Sequence, residues 1–347
     1  MKKMLILVTI VSLVAGSLFA EEAVLIDFSN LTADIRVSTG PNDEGTAPNQ
    51  NRHTMMDFSG VRFGGSFTQE QRSIMRTSLA IENWEVELSS SSRTIDNMVR
   101  SFTREAPSRQ FGSVMGVRVR FPQENFNARA LIKPPFEIPA FEPLAEISDD
   151  GTINPTEDSN GITNASRFEE GYGVVKNVGT IKSVAVNVYG LNFPHGLNTL
   201  ILDDTGRERK VFMGYLNFDG WGELVWNNPQ YIQEVRNRDL RLWPLYPEST
   251  PFIKFNGFEI LRDGAALGGD FITYFKDVRV IFDKAVLDQD RDIDDEALWG
   301  IIRDRETTRS LWEMERFGQN QVLRYLEQQR QADPQTTFTP AQTVDEQ

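Results

Sequence analysis

The sequence predicts a mainly β protein: a two-sheet antiparallel β-sandwich of jelly-roll type with a C-terminal helical extension. Three observations predict it. From residue 23 to residue 283, apolar and polar residues alternate in short runs separated by Gly, Pro, Asn and Asp, which is the period of half-buried strands. About ten such runs with little helix between them favour two packed sheets over a layered α/β fold. After about residue 287 the chain turns charged and helix-favouring, with acids at the start to complement a helix dipole.

Residues 1–20 read as a secretory signal peptide. Lys2 and Lys3 precede an uncharged apolar run, Leu5 to Phe19, and cleavage is expected after Ala20, with Ser17 as the other candidate. The run is too short to span a membrane, which takes ~20 apolar residues. Strands then follow in order. The run 23–31 is apolar and β-branched and ends in a turn at Ser29-Asn30. The run 79–90 alternates through Leu79, Ile81, Trp84, Val86 and Leu88, with a slip near Asn83 that reads as a bulge. In 113–122, Val117, Val119 and Phe121 face one way and Arg118 and Arg120 the other. Four prolines in 133–144 and a polar, turn-rich 148–161 make about 122–170 a long surface excursion. From 171 the strand signal is dense: 174–190, then 197–216 folded at Asp203-Asp204-Thr205-Gly206, then 223–226, 240–246, 252–261 and 271–283. The sandwich domain is therefore expected over 21–286. A charged helical segment follows over 287–332, with a break at Gly318 or Asn320, and 333–347 reads as a disordered tail.

Composition narrows the function. The chain has no cysteine, which removes thiol nucleophiles and thiolate metal sites. Its 36 basic residues less Lys2 and Lys3 leave 34 against 50 acids, a net charge of −16 after cleavage. That balance disfavours nucleic acid and anionic membranes as partners. No residue set reads as catalytic, cofactor-binding or metal-ligating. Asp288 to Glu296 is rich in acids, but an EF-hand started at Asp288 would place Ile293 where Gly is needed and Trp299 where Glu is needed. His53 and His195 lack ligand spacing and are expected to be structural, and 60–66 lacks the lysine of a phosphate loop.

The aromatics carry the remaining signal. Phe212, Tyr215, Phe218, Trp221 and Trp226 fall within fifteen residues. They read either as sheet interior or as a platform on which sugar rings stack, with Val211, Met213 and Tyr215 expected on one side of their strand. Trp221, between Gly220 and Gly222, is the member expected to be exposed, with Trp226 beside it as a partner or glycan contact. Trp299, Trp312 and Phe317 form a broken apolar stripe on the C-terminal helix, open to docking on a partner or back on the sandwich.

The runs 171–204, 211–232 and 268–286, with 24-VLIDFSNL-31 behind the leader, resemble the flagellar filament outer-layer (sheath) proteins of spirochetes, the FlaA family. The resemblance spans most of the mature chain and is strongest over 170–286. It implies a periplasmic, non-catalytic protein without cofactors that coats a core of flagellin subunits. Its implied partners are those core subunits, copies of itself and other sheath proteins. It also implies a contribution to filament stiffness, helical shape and cell motility. The reading of the residues alone keeps a second possibility, a secreted jelly-roll carbohydrate-binding module stacking sugars on Trp221 and Trp226.

Overall fold

A computed structural model describes residues 20–36, 49–60, 75–142, 144–149, 151–156, 166–239, 246–286 and 292–332. Residues 1–19 of the leader, the 240–245 part of one expected strand, the stretch 61–74, the start of the acid run over 287–291 and the tail 333–347 lie outside the described residues.

Two six-stranded antiparallel sheets form the body. The first runs β16 (Asp219–Asn227), β13 (Val178–Leu191), β18 (Gly269–Lys284), β8 (Gly112–Phe121) and β7 (Phe102–Ser108). The far half of β18 pairs instead with β1 (Ala20–Asp27), so β1 and β8 share one edge of it. The second sheet runs β15 (Glu208–Tyr215), β14 (Gly196–Asp203), β17 (Phe252–Arg262), β9 (Ala128–Lys133) and β6 (Glu85–Leu88), and β12 (Val174–Lys176) takes the start of β17. Taken in chain order, β8, β9 and β13 to β18 pass back and forth between the sheets, apart from the β14–β15 hairpin within the second, and give the strand order of a jelly roll. Three two-stranded ribbons sit outside the sheets: β2 (Ile35–Arg36) with β3 (Asn49–Gln50), β4 (Met56–Asp57) with β5 (Arg76–Thr77), and β10 (Ala145–Ile147) with β11 (Ile153–Pro155).

Alternation explains the core. Val184, Val186 and Val188 of β13 and Val278 and Val280 of β18 all point into the interlayer and are fully buried. Phe258 of one sheet stacks on Phe275 of the other with ring centroids 4.1 Å apart, and Phe28, Trp84 and Phe255 close an aromatic cluster beside them. Such rings each remove a large apolar area from water, the main favourable term in the fold.

The structure departs from the sequence reading in four places. The slip near Asn83 is a single 3-10 turn, Ile81–Asn83, before β6, and Trp84 Nε1 donates to the Leu79 carbonyl at 2.9 Å. The expected surface excursion over 122–170 instead supplies β9, a central strand of the second sheet, and buries Ile132, Phe136, Ile138, Ala140 and Phe168. Its prolines end β9 without driving the chain outward, because a segment that makes no ladder bonds still packs its apolar side chains. A polar stretch after β16 forms α2 (Tyr231–Asp239); the earlier α1 (Ile95–Val99) is short and starts from the N-cap Thr94. The C-terminal segment breaks at Gly300, not at Gly318. Helix α3 (Asp295–Trp299) ends there at a left-handed φ of +59°, and α4 (Ile301–Ala332) then runs unbroken for 32 residues, ~48 Å at 1.5 Å per residue. Gly318 is tolerated within α4 because helix packing outweighs its ~1 kcal/mol propensity cost. No described helix is long and apolar enough to cross a membrane.

Candidate functional site

The aromatic stretch separates into three environments. In β15 a bulge places both Met213 and Gly214 between Phe212 and Tyr215, since Asn198 pairs with Phe212 and Leu197 with Gly214. Gly214 takes a φ of +136°, a conformation glycine adopts without a Cβ clash. Met213 and Leu216 turn inward, and Phe212 and Tyr215 both face solvent with rings 5.4 Å apart. The expected grouping of Tyr215 with Val211 and Met213 is therefore corrected: the extra residue reverses the alternation. With Pro194, Leu261, Arg129 and Asp263, these two rings line an open groove of ≈ 400 Å³ on the outer face of the second sheet.

Trp226 stands opposite the buried Val184 and packs on the core from the end of β16. Trp221 stands opposite Tyr189 on the outer face of the first sheet. It is half-buried in a cross-strand row: Phe111 meets it edge-on at 4.8 Å and Tyr189 at 5.3 Å, and Tyr274 follows Tyr189 at 5.8 Å. The Tyr274 ring covers Gly116 of β8, where a Cβ would come 3.1 Å from it. The sequence reading missed Phe111, Tyr189 and Tyr274 as neighbours of Trp221, and it missed Phe212 and Tyr215 as a groove. Membership of a row depends on strand register, which no local pattern encodes.

The C-terminal stripe also divides. Phe317 inserts into the body against Phe58, ring centroids 6.0 Å apart, and Met314 packs beside it. Below them Lys254 is 2% exposed, with Nζ 3.1 Å from a Glu137 oxygen and 3.4 Å from one of Glu313. Arg309 lies over the Phe252 ring and Ser310 donates to Glu142, so one face of α4 docks in cis. The opposite face leaves Leu311 and Trp312 in solvent, and Leu298 and Trp299 of α3 are equally open. Trp299 and Trp312 thus stay free of the body, whereas Phe317 is part of it.

The remaining candidates resolve into supports. Asp294 caps α3 by accepting from Ala297 N at 3.1 Å, and Glu296 accepts from the first amides of α4, those of Ile302 and Arg303. Burial raises the Glu306 carboxyl to about 7 on the docked side of α4, opposed by Lys176 and reinforced by Glu296 and Glu169. A raised carboxylate pKa contributes stability at low pH that is lost as pH rises through about 7. His53 donates from Nε2 to the Arg167 carbonyl at 2.6 Å and stacks on Tyr172. His195 is enclosed by Phe121, Phe193 and Phe271, and burial followed by the charge of Arg262 lowers it to about 4. A histidine held neutral in this way contributes stability above its unfolded pKa of ~6.5, and the contribution is lost as pH falls from there to about 4. His195→Phe is expected to flatten that loss. Between pH 6.5 and 4 the wild type should lose about 3 kcal/mol relative to the variant in urea melts; parallel curves would refute the assignment.

Two packed antiparallel sheets with open aromatic and apolar patches on their outer side define a β-sandwich, and no cluster of three potential metal ligands is found among the described residues. Known proteins agree. The family model described as flagellar filament outer layer protein Flaa matches residues 47–291. The flagellar filament outer layer protein of Treponema pallidum (strain Nichols) is 47% identical over 347 residues, covering 98% of this chain and 97% of that protein. That of Spirochaeta aurantia is 45% identical over 90% of this chain and 88% of its own length. Among solved structures, a family 61 carbohydrate-binding module in complex with β-1,4-galactotriose covers 58% of this chain and 88% of its own, at 10% identity and a TM-score of 0.27. The chain belongs to the flagellar filament outer layer protein family, a non-catalytic sheath component of the spirochete periplasmic flagellum.

Proposed function

We propose that this protein coats a core of flagellin subunits, touching both that core and neighbouring copies of itself, and that the coat stiffens the filament and supports motility. Other sheath proteins are further expected neighbours. The observation that carries the reading is the division of the C-terminal helices: Phe317 completes the body, yet two tryptophans on the same segment stay in water. Exposed aromatics clustered on one element are the usual mark of a protein contact. Many such contacts repeated along a filament gain strength through effective concentration without any single one being tight. The leader is inferred to be removed after Ala20, which supports a mature strand beginning at Glu21, opposite Phe282.

The glycan-platform alternative has weaker support. Trp221 meets Phe111 and Tyr189 edge-on and is half-buried by them, and Trp226 faces the core. A sugar platform needs an open aromatic face.

The test is fractionation. Periplasmic filaments from the source cells are expected to carry the protein, and mild detergent or acid should release it while the core filament survives. Stripped filaments should also bend more readily under flow. Protein found only free in the periplasm would overturn the reading.

A further inference from the structure

Helix α4 lies on the body with its charged side inward. Glu306, Ser310, Glu313 and Phe317, spaced four, three and four residues apart, share one face, and that face is the docked one. Only Phe317 of these is apolar, whereas Leu311, Trp312 and Leu323 stay in solvent. A helix ordinarily turns its apolar stripe to the core; this one is fastened mainly by polar groups. Glu313 meets the buried Lys254 at 3.4 Å. Ser310 donates to Glu142 at 3.2 Å, and the other oxygen of Glu142 takes the buried Arg167 at 3.0 Å. Helix α4 pairs with no strand, so it can lift without breaking a ladder bond.

One group on the docked face differs from the rest. Glu306 is half-buried near the start of α4, and among the described residues it makes no hydrogen bond and no ion pair. The charged groups that face it are Lys176 of β12, Glu169 of the turn before that strand, and Glu296 of α3. Lys176 is already held by Glu169 at 2.6 Å, and Glu296 accepts from the Ile302 and Arg303 amides. One turn further on, the interface is set by Arg309 of α4 and by Glu142 and Arg167 of the body. An ionised Glu306 therefore brings a third carboxylate to one lysine, in a slot that water reaches only in part. A protonated Glu306 adds no charge there.

We propose that α4 is a strap closed by one proton: with Glu306 protonated it lies flat on the body, and with Glu306 ionised its first turns lift away from Lys176 and Glu169. Phe317 and the Lys254 pair hold the middle of the helix, so opening starts at the end next to Gly300. Burial pushes the Glu306 carboxyl from an ordinary 4.5 up to about 7, with Lys176 opposing and Glu296 and Glu169 adding. On the lifted helix the ordinary value applies, so the docked state binds the proton more tightly. Docking is strongest below about pH 4.5 and weakens as pH rises to about 7; above that this group changes nothing further. The strap is a property of the single chain, independent of what the outer faces touch.

The test is amide exchange of the purified full chain, read by mass spectrometry and corrected to the intrinsic rate at each pH. Protection in the first half of α4 is expected to fall by up to about a hundredfold between about pH 5 and about pH 7, roughly tenfold per unit, with no such fall in β13 or β18. Glu306→Gln keeps the shape and cannot ionise, so its α4 should stay protected across the same range. Glu306→Leu, also uncharged, is the second variant should the first misfold. Protection of the wild-type α4 that is flat with pH would overturn the proposal. So would a fall that persists in the uncharged variants, which would place the titration elsewhere. An equal fall in β13 and β18 would also sink it, because the whole sandwich would then be loosening and the helix merely following.

Discussion

Gly257→Ala is expected to abolish folding of this protein at physiological temperature. Gly257 lies in β17 at a φ of +117°, and a Cβ built there would stand 2.1 Å from the Ile132 carbonyl oxygen of β9. The clash is with backbone, which no rotamer change relieves. Strain at such a φ costs of order 1–3 kcal/mol, and the overlap adds the cost of parting two central strands. A total near 5 kcal/mol is a large share of the 5–15 kcal/mol that holds a typical domain together. Gly206→Ala is the matching control. It has a φ of +78° in the Asp203–Gly206 hairpin turn with nothing within 4 Å, so it should lose only about 1 kcal/mol. Far-UV circular dichroism on the two purified variants decides the matter. A cooperative melt for Gly257→Ala within a few degrees of wild type would show that β9 can move aside.

Phe317→Ala is expected to release helix α4 while leaving the sandwich intact. The ring packs with Phe58 and lies in the core cluster, so truncation removes its burial and leaves a cavity, about 3 kcal/mol. The loss falls on the docking of one element, because α4 makes none of the sheet pairings. Amide exchange in the first half of α4 should quicken about a hundredfold, the factor that ~3 kcal/mol corresponds to, with β13 and β18 unchanged. Lys254 and its two carboxylates remain as a polar anchor, so adding Lys254→Met should free the helix further by removing the cation that joins Glu137 of the body to Glu313 of α4, which keeps only Arg309 of its own helix. Trp312→Ala, on the outward face, should leave exchange as it was. Equal protection of α4 in wild type and Phe317→Ala would mean that the ring is a bystander.

How much of this could be read from the sequence follows from the range of the forces involved. Period-two alternation is local, so β8, β13, β14, β17 and β18 stand out from residues 112–121 and 178–284. Strand β9 has the same alternation in only six residues, and the prolines after it suggested a surface loop. What they mark is where the ladder ends, while Phe136 and Ile138 remain in the core. The bulge at Met213-Gly214 reassigns Tyr215 to solvent, and only the facing strand reveals it. The division of the C-terminal stripe was legible in part. The stripe itself was visible, but which side turns inward depends on Phe58, Phe136 and Lys254, which lie far away in sequence. The row around Trp221 joins residues from 111 to 274, and nothing near Trp221 in the chain announces it.

The shared edge of β18 has a consequence for how the molecule is made. Glu21 pairs with Phe282 and Asp27 with Asp277, so the first strand of the sandwich finds its place only beside the last. Loop closure over so many residues is slow, and contacts of that separation form late. While the chain is still emerging, β18 does not yet exist and the first sheet lacks its centre. A protein that works in the periplasm must cross a membrane first, and a translocating chain is best threaded loose. This topology delays compaction until nearly the whole length is through, which lets one early-made strand act as the clasp that closes the fold on the far side.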